Sequence, residues 1–80
     1  IEYEIPYTST QLNAVATQLI VYDLLGREIA RLVDSYLAPG TYSVIWSGLN
    51  KDGNIAPSGV YFYSLRTETF SNTRKMILLR

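Results

Sequence analysis

Apolar and polar residues alternate with period two along most of the chain, and turn-forming residues cut the alternation into short runs. Ile1, Tyr3 and Ile5 alternate with Glu2 and Glu4, and Pro6 ends the run, which predicts a half-buried strand over 1–5. Tyr7 to Ala14 is mixed and polar and predicts a loop. Ala16 to Tyr22 predicts a second strand, with Thr17, Leu19 and Val21 on one face and Gln18, Ile20 and Tyr22 on the other. Both faces carry apolar residues, as a central strand requires. Asp23-Leu24-Leu25-Gly26 reads as a tight turn, with Asp at its first position and Gly at its last.

Arg27 to Val33 predicts a third strand, but Ile29, Leu32 and Val33 break the alternation, so a bulge is expected there. The competing reading is a short helix from Leu24 to Tyr36, because Leu25, Ile29, Leu32 and Tyr36 recur at helical spacing. Ala38-Pro39-Gly40 is a turn. Thr41 to Ser47 alternates most cleanly, with Tyr42, Val44 and Trp46 on one face. Gly48 to Ser58 is a long loop with turn signals at Asp52-Gly53 and Pro57-Ser58-Gly59. Val60 to Thr67 is a strand with Tyr61, Tyr63 and Leu65 facing one way, Phe70-Ser71-Asn72 a turn, and Thr73 to Leu79 a last strand.

Six strands at this spacing and no convincing helix predict an all-β fold, an immunoglobulin-like antiparallel sandwich of six to seven strands. Such a sandwich normally has seven, so an irregular edge strand or one lost by truncation is expected. A faint internal echo stands out: Gly40-Thr41-Tyr42 and Gly59-Val60-Tyr61 each place glycine just ahead of a tyrosine-led strand. The expected roles are a positive-φ residue leaving a turn and an aromatic covering the core.

Composition supports one small, dense domain over 1–80. Of the 80 residues, 48% are hydrophobic and seven are tyrosines, enough for a core in a chain this short. Acidic and basic residues balance at seven each, so nothing steers the chain toward nucleic acid or an anionic membrane. No apolar run reaches the length of a membrane span. The chain opens directly in strand pattern with no initiating methionine, and it is read as a piece of a longer protein.

Candidate chemistry is sparse. There is no cysteine and no histidine, which removes thiol nucleophiles, imidazole bases, disulfides and the usual zinc ligands. Glu2 and Glu4 lie on one strand face about 7 Å apart, a spacing open to paired carboxylates but explained by an exposed polar face. A serine activated by Lys51 or Lys75 has no motif to support it, and no glycine loop precedes a helix to cradle phosphate. Asn50-Lys51-Asp52-Gly53-Asn54 is faintly like a calcium loop, but holds one carboxylate and reads first as an Asp-Gly turn. Trp46 and the tyrosines could stack on sugars, although the spacing of Tyr42, Val44 and Trp46 points them to the core and leaves Tyr22, Tyr36 and Phe62 as the candidate exposed rings. No enzyme activity, metal or cofactor is expected of this chain.

The motifs taken in order carry more than any one alone. Ile20-Val21-Tyr22-Asp23-Leu24-Leu25-Gly26-Arg27-Glu28-Ile29, Ala38-Pro39-Gly40-Thr41-Tyr42, Trp46-Ser47-Gly48, Asp52-Gly53-Asn54, Ser58-Gly59-Val60-Tyr61-Phe62-Tyr63 and Thr73-Arg74-Lys75-Met76 follow one another from Leu19 to Arg80. This order resembles the C-terminal sorting domain of the type IX secretion system of Bacteroidota and related phyla. It equally resembles the immunoglobulin-like domain of the flagellar hook-capping protein. Ser47 stands where an acidic residue is common in that pattern, and the family's Pro-Asn-Pro segment would precede Ile1.

The resemblance implies a C-terminal address on a larger exported protein, commonly a peptidase, glycoside hydrolase or adhesin. Such a domain is read by outer-membrane secretion machinery, and its cargo is anchored at the cell surface or released from a Gram-negative bacterium after passing the periplasm. Carried over by position, the candidate signal residues are Gly40, Tyr42, Gly59, Tyr61, Lys75 and Arg80. The expected partners are the secretion machinery and the upstream domain of the parent, with strand-mediated self-association open through an exposed edge. Two other readings stay open: a passive accessory domain packed against a catalytic one, and a carbohydrate-binding module.

Overall fold

The computed structural model describes residues 1–6 and 14–79. Tyr7 to Asn13, most of the loop expected before the second strand, and the candidate Arg80 lie outside the described residues. The fold is all-β. Six strands are described: β1 (Glu2–Ile5), β2 (Val15–Tyr22), β3 (Glu28–Leu37), β4 (Gly40–Ser43), β5 (Gly59–Arg66) and β6 (Ser71–Leu78). They form a four-stranded sheet in the order β3-β2-β5-β6 and a two-stranded sheet of β1 and β4, with every pairing antiparallel. The result is a small β-sandwich, as the alternation predicts.

Strand β2 is central, as its doubly apolar pattern requires. Thr17, Leu19 and Val21 are its most buried side chains and face the sandwich interior. The Thr17 hydroxyl donates to the Val15 carbonyl at 3.0 Å, so burial leaves it satisfied. Burying each of Leu19 and Val21 contributes about 1.5–3 kcal/mol.

The region expected to be irregular is β3, a strand and not a helix. Its pairing with β2 slips between Leu19 and Ile20 and again between Val21 and Tyr22. These two bulges account for the broken alternation. An extra residue in a bulge lets neighbours in sequence turn to the same side. Leu32 and Val33 both pack on the interior, as do Ile29 and Ala30. The strand also runs to Leu37, four residues past the expected end at Val33, because Asp34 to Leu37 continue the ladder against Gln18 to Val15.

Two expectations need correction. The strand placed over Thr41 to Ser47 forms a ladder only to Ser43. Its partner β1 runs out: Val44 and Ile1 exchange a last pair of backbone hydrogen bonds at 2.8 and 2.7 Å. Beyond them the side chains still alternate, with Trp46 inward and Ile45 90% exposed, but among the described residues no strand pairs with them. The turn placed at Phe70-Ser71-Asn72 sits earlier, where the Thr67 N–H donates to the Phe70 carbonyl at 2.9 Å. Ser71 and Asn72 instead open β6 opposite Arg66 and Leu65.

The core has two lobes. Ile5, Val15, Leu19 and Leu65 fill the first, beneath β1 and β4, with Tyr3, Tyr42 and Val44 packed against them. Val21, Ala30, Ala56 and Tyr61 fill the second, with Trp46 and Met76 packed against them. Leu32 and Tyr63 touch both lobes. The short two-stranded sheet therefore covers only one half of the larger sheet. The segment from Trp46 to Pro57 covers the other, held by a hydrogen bond from the Lys51 N–H to the Ile29 carbonyl at 2.8 Å.

Candidate functional site

The glycine–tyrosine echo in the sequence is a structural repeat. The Tyr42 hydroxyl donates to the Ala38 carbonyl and the Tyr61 hydroxyl to the Pro57 carbonyl, both at 2.6 Å and both four residues back. Between each pair lies a glycine at nearly the same unusual angle, Gly40 at φ 153° and Gly59 at φ 151°. Side chains rarely adopt such angles, which explains the residue type. Each unit folds the chain sharply into a strand and ties the corner with a phenol, as in the tyrosine corners of immunoglobulin-type sandwiches.

Topology places these two corners far apart. Gly40 follows Leu37, which pairs with Val15 at the start of β2, whereas Gly59 precedes Phe62, which pairs with Tyr22 at its end. Gly40 and Tyr42 therefore lie at one end of the sandwich, and Gly59 and Tyr61 at the other. Lys75 stands opposite Phe62 on β6, near the second corner. The described candidates are not gathered into one site, and the four at the corners have architectural work.

The aromatic side chains are equally tied in. Tyr3 stacks on Tyr42 with centroids 5.6 Å apart, and burial, then the neighbouring Tyr42 phenol, raises the Tyr3 phenol above its ordinary range. Trp46 meets Tyr61 edge-on at 5.0 Å and donates its indole N–H to the Leu49 carbonyl at 2.9 Å. The candidate exposed rings separate into two places. Tyr22 and Phe62 are half-buried cross-strand partners, while Tyr36 is 72% exposed and faces Ala16 farther along the sheet.

A second repeat joins two turns that share little sequence. Asp23 to Arg27 and Asn50 to Asn54 have the same hydrogen-bond pattern. In each, the first residue's N–H donates to the fifth residue's carbonyl, at 3.0 and 2.8 Å, and the fourth residue, a glycine, donates back to the first, at 3.0 and 2.9 Å. The side-chain oxygen of Asp23 or Asn50 accepts from the third and fifth N–H groups at 2.9–3.0 Å. The Asn50 oxygen of the calcium-like stretch thus faces its own backbone donors. Among the described residues no group of three or more His, Cys, Asp or Glu side chains could hold a metal ion.

Asp23 also pairs with Arg27 at 2.7 Å. Desolvation works to raise its carboxyl, but the hydrogen bonds from the Arg27 backbone and guanidinium and from the Leu25 N–H outweigh it and hold the group below its ordinary range. The two turns and the Pro57–Gly59 corner surround a shallow groove of about 320 Å³ that Leu24, Leu25 and Ile55 border with exposed side chains.

The edges of the larger sheet differ. On β3, two bulges, an Arg31 side chain bonded to both Glu28 and Asp34, and the Lys51 hydrogen bond to Ile29 all obstruct pairing with a further strand. On β6 the ladder with β5 runs from Ser71 to Leu78 without a register shift, and among the described residues its other edge has no strand partner. A cleft of about 440 Å³ opens between β6 and β1, lined by Glu2 and Glu4 on one side, Asn72 and Arg74 on the other, and Tyr63, Leu65 and Phe70. The motif pattern marks Lys75 here but not the cleft, because β1 and β6 are brought together only by the packing of the sheets.

Comparison with protein families, curated proteins and solved structures returned no match. Among the described residues no helix is long and apolar enough to cross a membrane.

Proposed function

We propose that this chain is a non-catalytic C-terminal module that directs a larger protein to export through a type IX secretion system and to the cell surface. The motif order from Leu19 to Arg80 supplies the resemblance behind this reading. The observation that carries it is the open, regular edge of β6, the last strand described. An edge of this kind offers main-chain donors and acceptors to a receptor that adds a strand. The glycine and tyrosine corners then act by holding that edge in place. They are not read directly by the receptor.

The test is a fusion of residues 1–80 to the C-terminus of a periplasm-directed reporter in a type IX-competent bacterium. Arrival at the cell surface supports the reading. Retention in the periplasm of a fusion shown to be folded contradicts it.

The accessory-domain reading draws on a different feature, the apolar rim of Leu24, Leu25 and Ile55 at the far end of the sandwich. Burial of that rim against an upstream domain would leave β6 free, so the rim can serve a parent protein without competing with the export role.

A further inference from the structure

We infer that the free edge of β6 takes an extended partner segment with apolar side chains on its cleft side and carboxylates on its outward side. The inference rests on β6 being the contact strand. Three observations set the chemistry.

The first is the edge itself. An eight-residue strand with an unbroken ladder on one side presents a matching row of backbone groups on the other. The second is the cleft beside it. An added strand sends alternate side chains into the space between β6 and β1, where Tyr63, Leu65 and Phe70 offer apolar surface and Met76 and Leu78 continue the same face. Apolar side chains match Tyr63, Leu65 and Phe70, whereas a carboxylate there would meet charge of both signs, Arg74 on the near wall and Glu2 and Glu4 on the opposite one.

The third is charge. Strands β5 and β6 hold Arg66, Arg74 and Lys75 and no acidic residue. Register with β5 places Lys75 beside Phe62 on the outward face and Arg74 beside Tyr63 on the cleft side. Lys75 has no ion pair among the described residues. A carboxylate on the outward side of the partner supplies one. Antiparallel pairing of two copies of β6 centred on Arg74 or on Lys75 sets that cation against its own copy, so a second copy in either register is the poorer occupant.

The probes are two end-capped eight-residue peptides, one alternating valine with glutamate and the other valine with lysine. Amide hydrogen exchange is followed by NMR on the intact chain. The expected result is that the glutamate peptide protects alternate amides within 71–78, with the lysine peptide binding about tenfold more weakly. Lys75→Glu, an exposed change that leaves the core intact, narrows or inverts that preference. Equal binding of both peptides, no protection in β6, or protection of β3 in its place overturns the inference. Protection of β6 that grows with protein concentration in the absence of peptide identifies a second copy as the occupant and also overturns it. Surface delivery of the reporter fusion is scored separately. Export without acidic-peptide binding rejects this inference alone, and binding without export rejects the export reading alone.

Discussion

The hydroxyl of Tyr61 donates to the carbonyl of Pro57 at 2.6 Å, closing a corner whose pivot is Gly59. Tyr42 repeats the contact with Ala38 at the opposite end of the sandwich. The difference between the two is burial: Tyr61 is buried in the second core lobe, while Tyr42 is half-buried beside the first. Tyr61→Phe removes the hydrogen bond and keeps the ring, so it should lower stability by about 1 kcal/mol, with a smaller loss for Tyr42→Phe. Urea unfolding of the two variants checks the order.

Gly59→Ala separates backbone strain from crowding. A methyl group at Gly59 meets nothing within 4 Å, yet the φ of 151° disfavours any side chain. The expected cost is about 1–3 kcal/mol, arising from the backbone alone. For a domain of this size that lowers Tm by roughly 4–8 °C per kcal/mol, readable by calorimetry.

Asp23 makes stability depend on pH. Its carboxyl titrates below the ordinary range in the folded chain, so its contribution is present above the unfolded value of about 3.9 and is lost as pH falls through the folded value. Asp23→Asn keeps an acceptor for the turn but removes the charge shared with Arg27. The variant should be less stable than the parent near neutrality, and the gap should close in acid. Chemical unfolding midpoints at about pH 7 and about pH 2.5 measure it.

Trp46 anchors the segment that covers the second lobe. Trp46→Ala removes the edge contact with Tyr61 and the bond to the Leu49 carbonyl. The expected loss is about 2–3 kcal/mol, below that of a fully buried ring, because Trp46 is half-buried and packs against the core. Hydrogen exchange should then rise first at the Lys51 amide, whose bond to Ile29 depends on the segment staying docked.

Much of this architecture is legible in the residues themselves. The alternation in Ala16 to Tyr22 marks the central strand, and Ile29, Leu32 and Val33 mark the bulged one, because burial acts directly on those side chains. The alternation of Tyr42, Val44 and Trp46 is also real, but it reports which side chains turn inward and says nothing about a backbone partner, so the end of β4 at Ser43 is hidden. Ser71 and Asn72 carry turn propensity that the ladder with Arg66 and Leu65 overrides. The separation of the Gly40 and Gly59 corners, and the cleft between β1 and β6, depend on strand order, which no local pattern encodes.

Delivery of the reporter carrying residues 1–80 is the most direct test of the central claim, that this sandwich is an export address. Intact cells of a type IX-competent strain are treated with an external protease, and the surviving reporter is compared with that in lysed cells. The account predicts a reporter that the protease reaches in intact cells, and loss of that accessibility when the fusion ends at Arg66, ahead of β6. A folded fusion that stays protected in the periplasm, or one that reaches the surface equally well without β6, contradicts it.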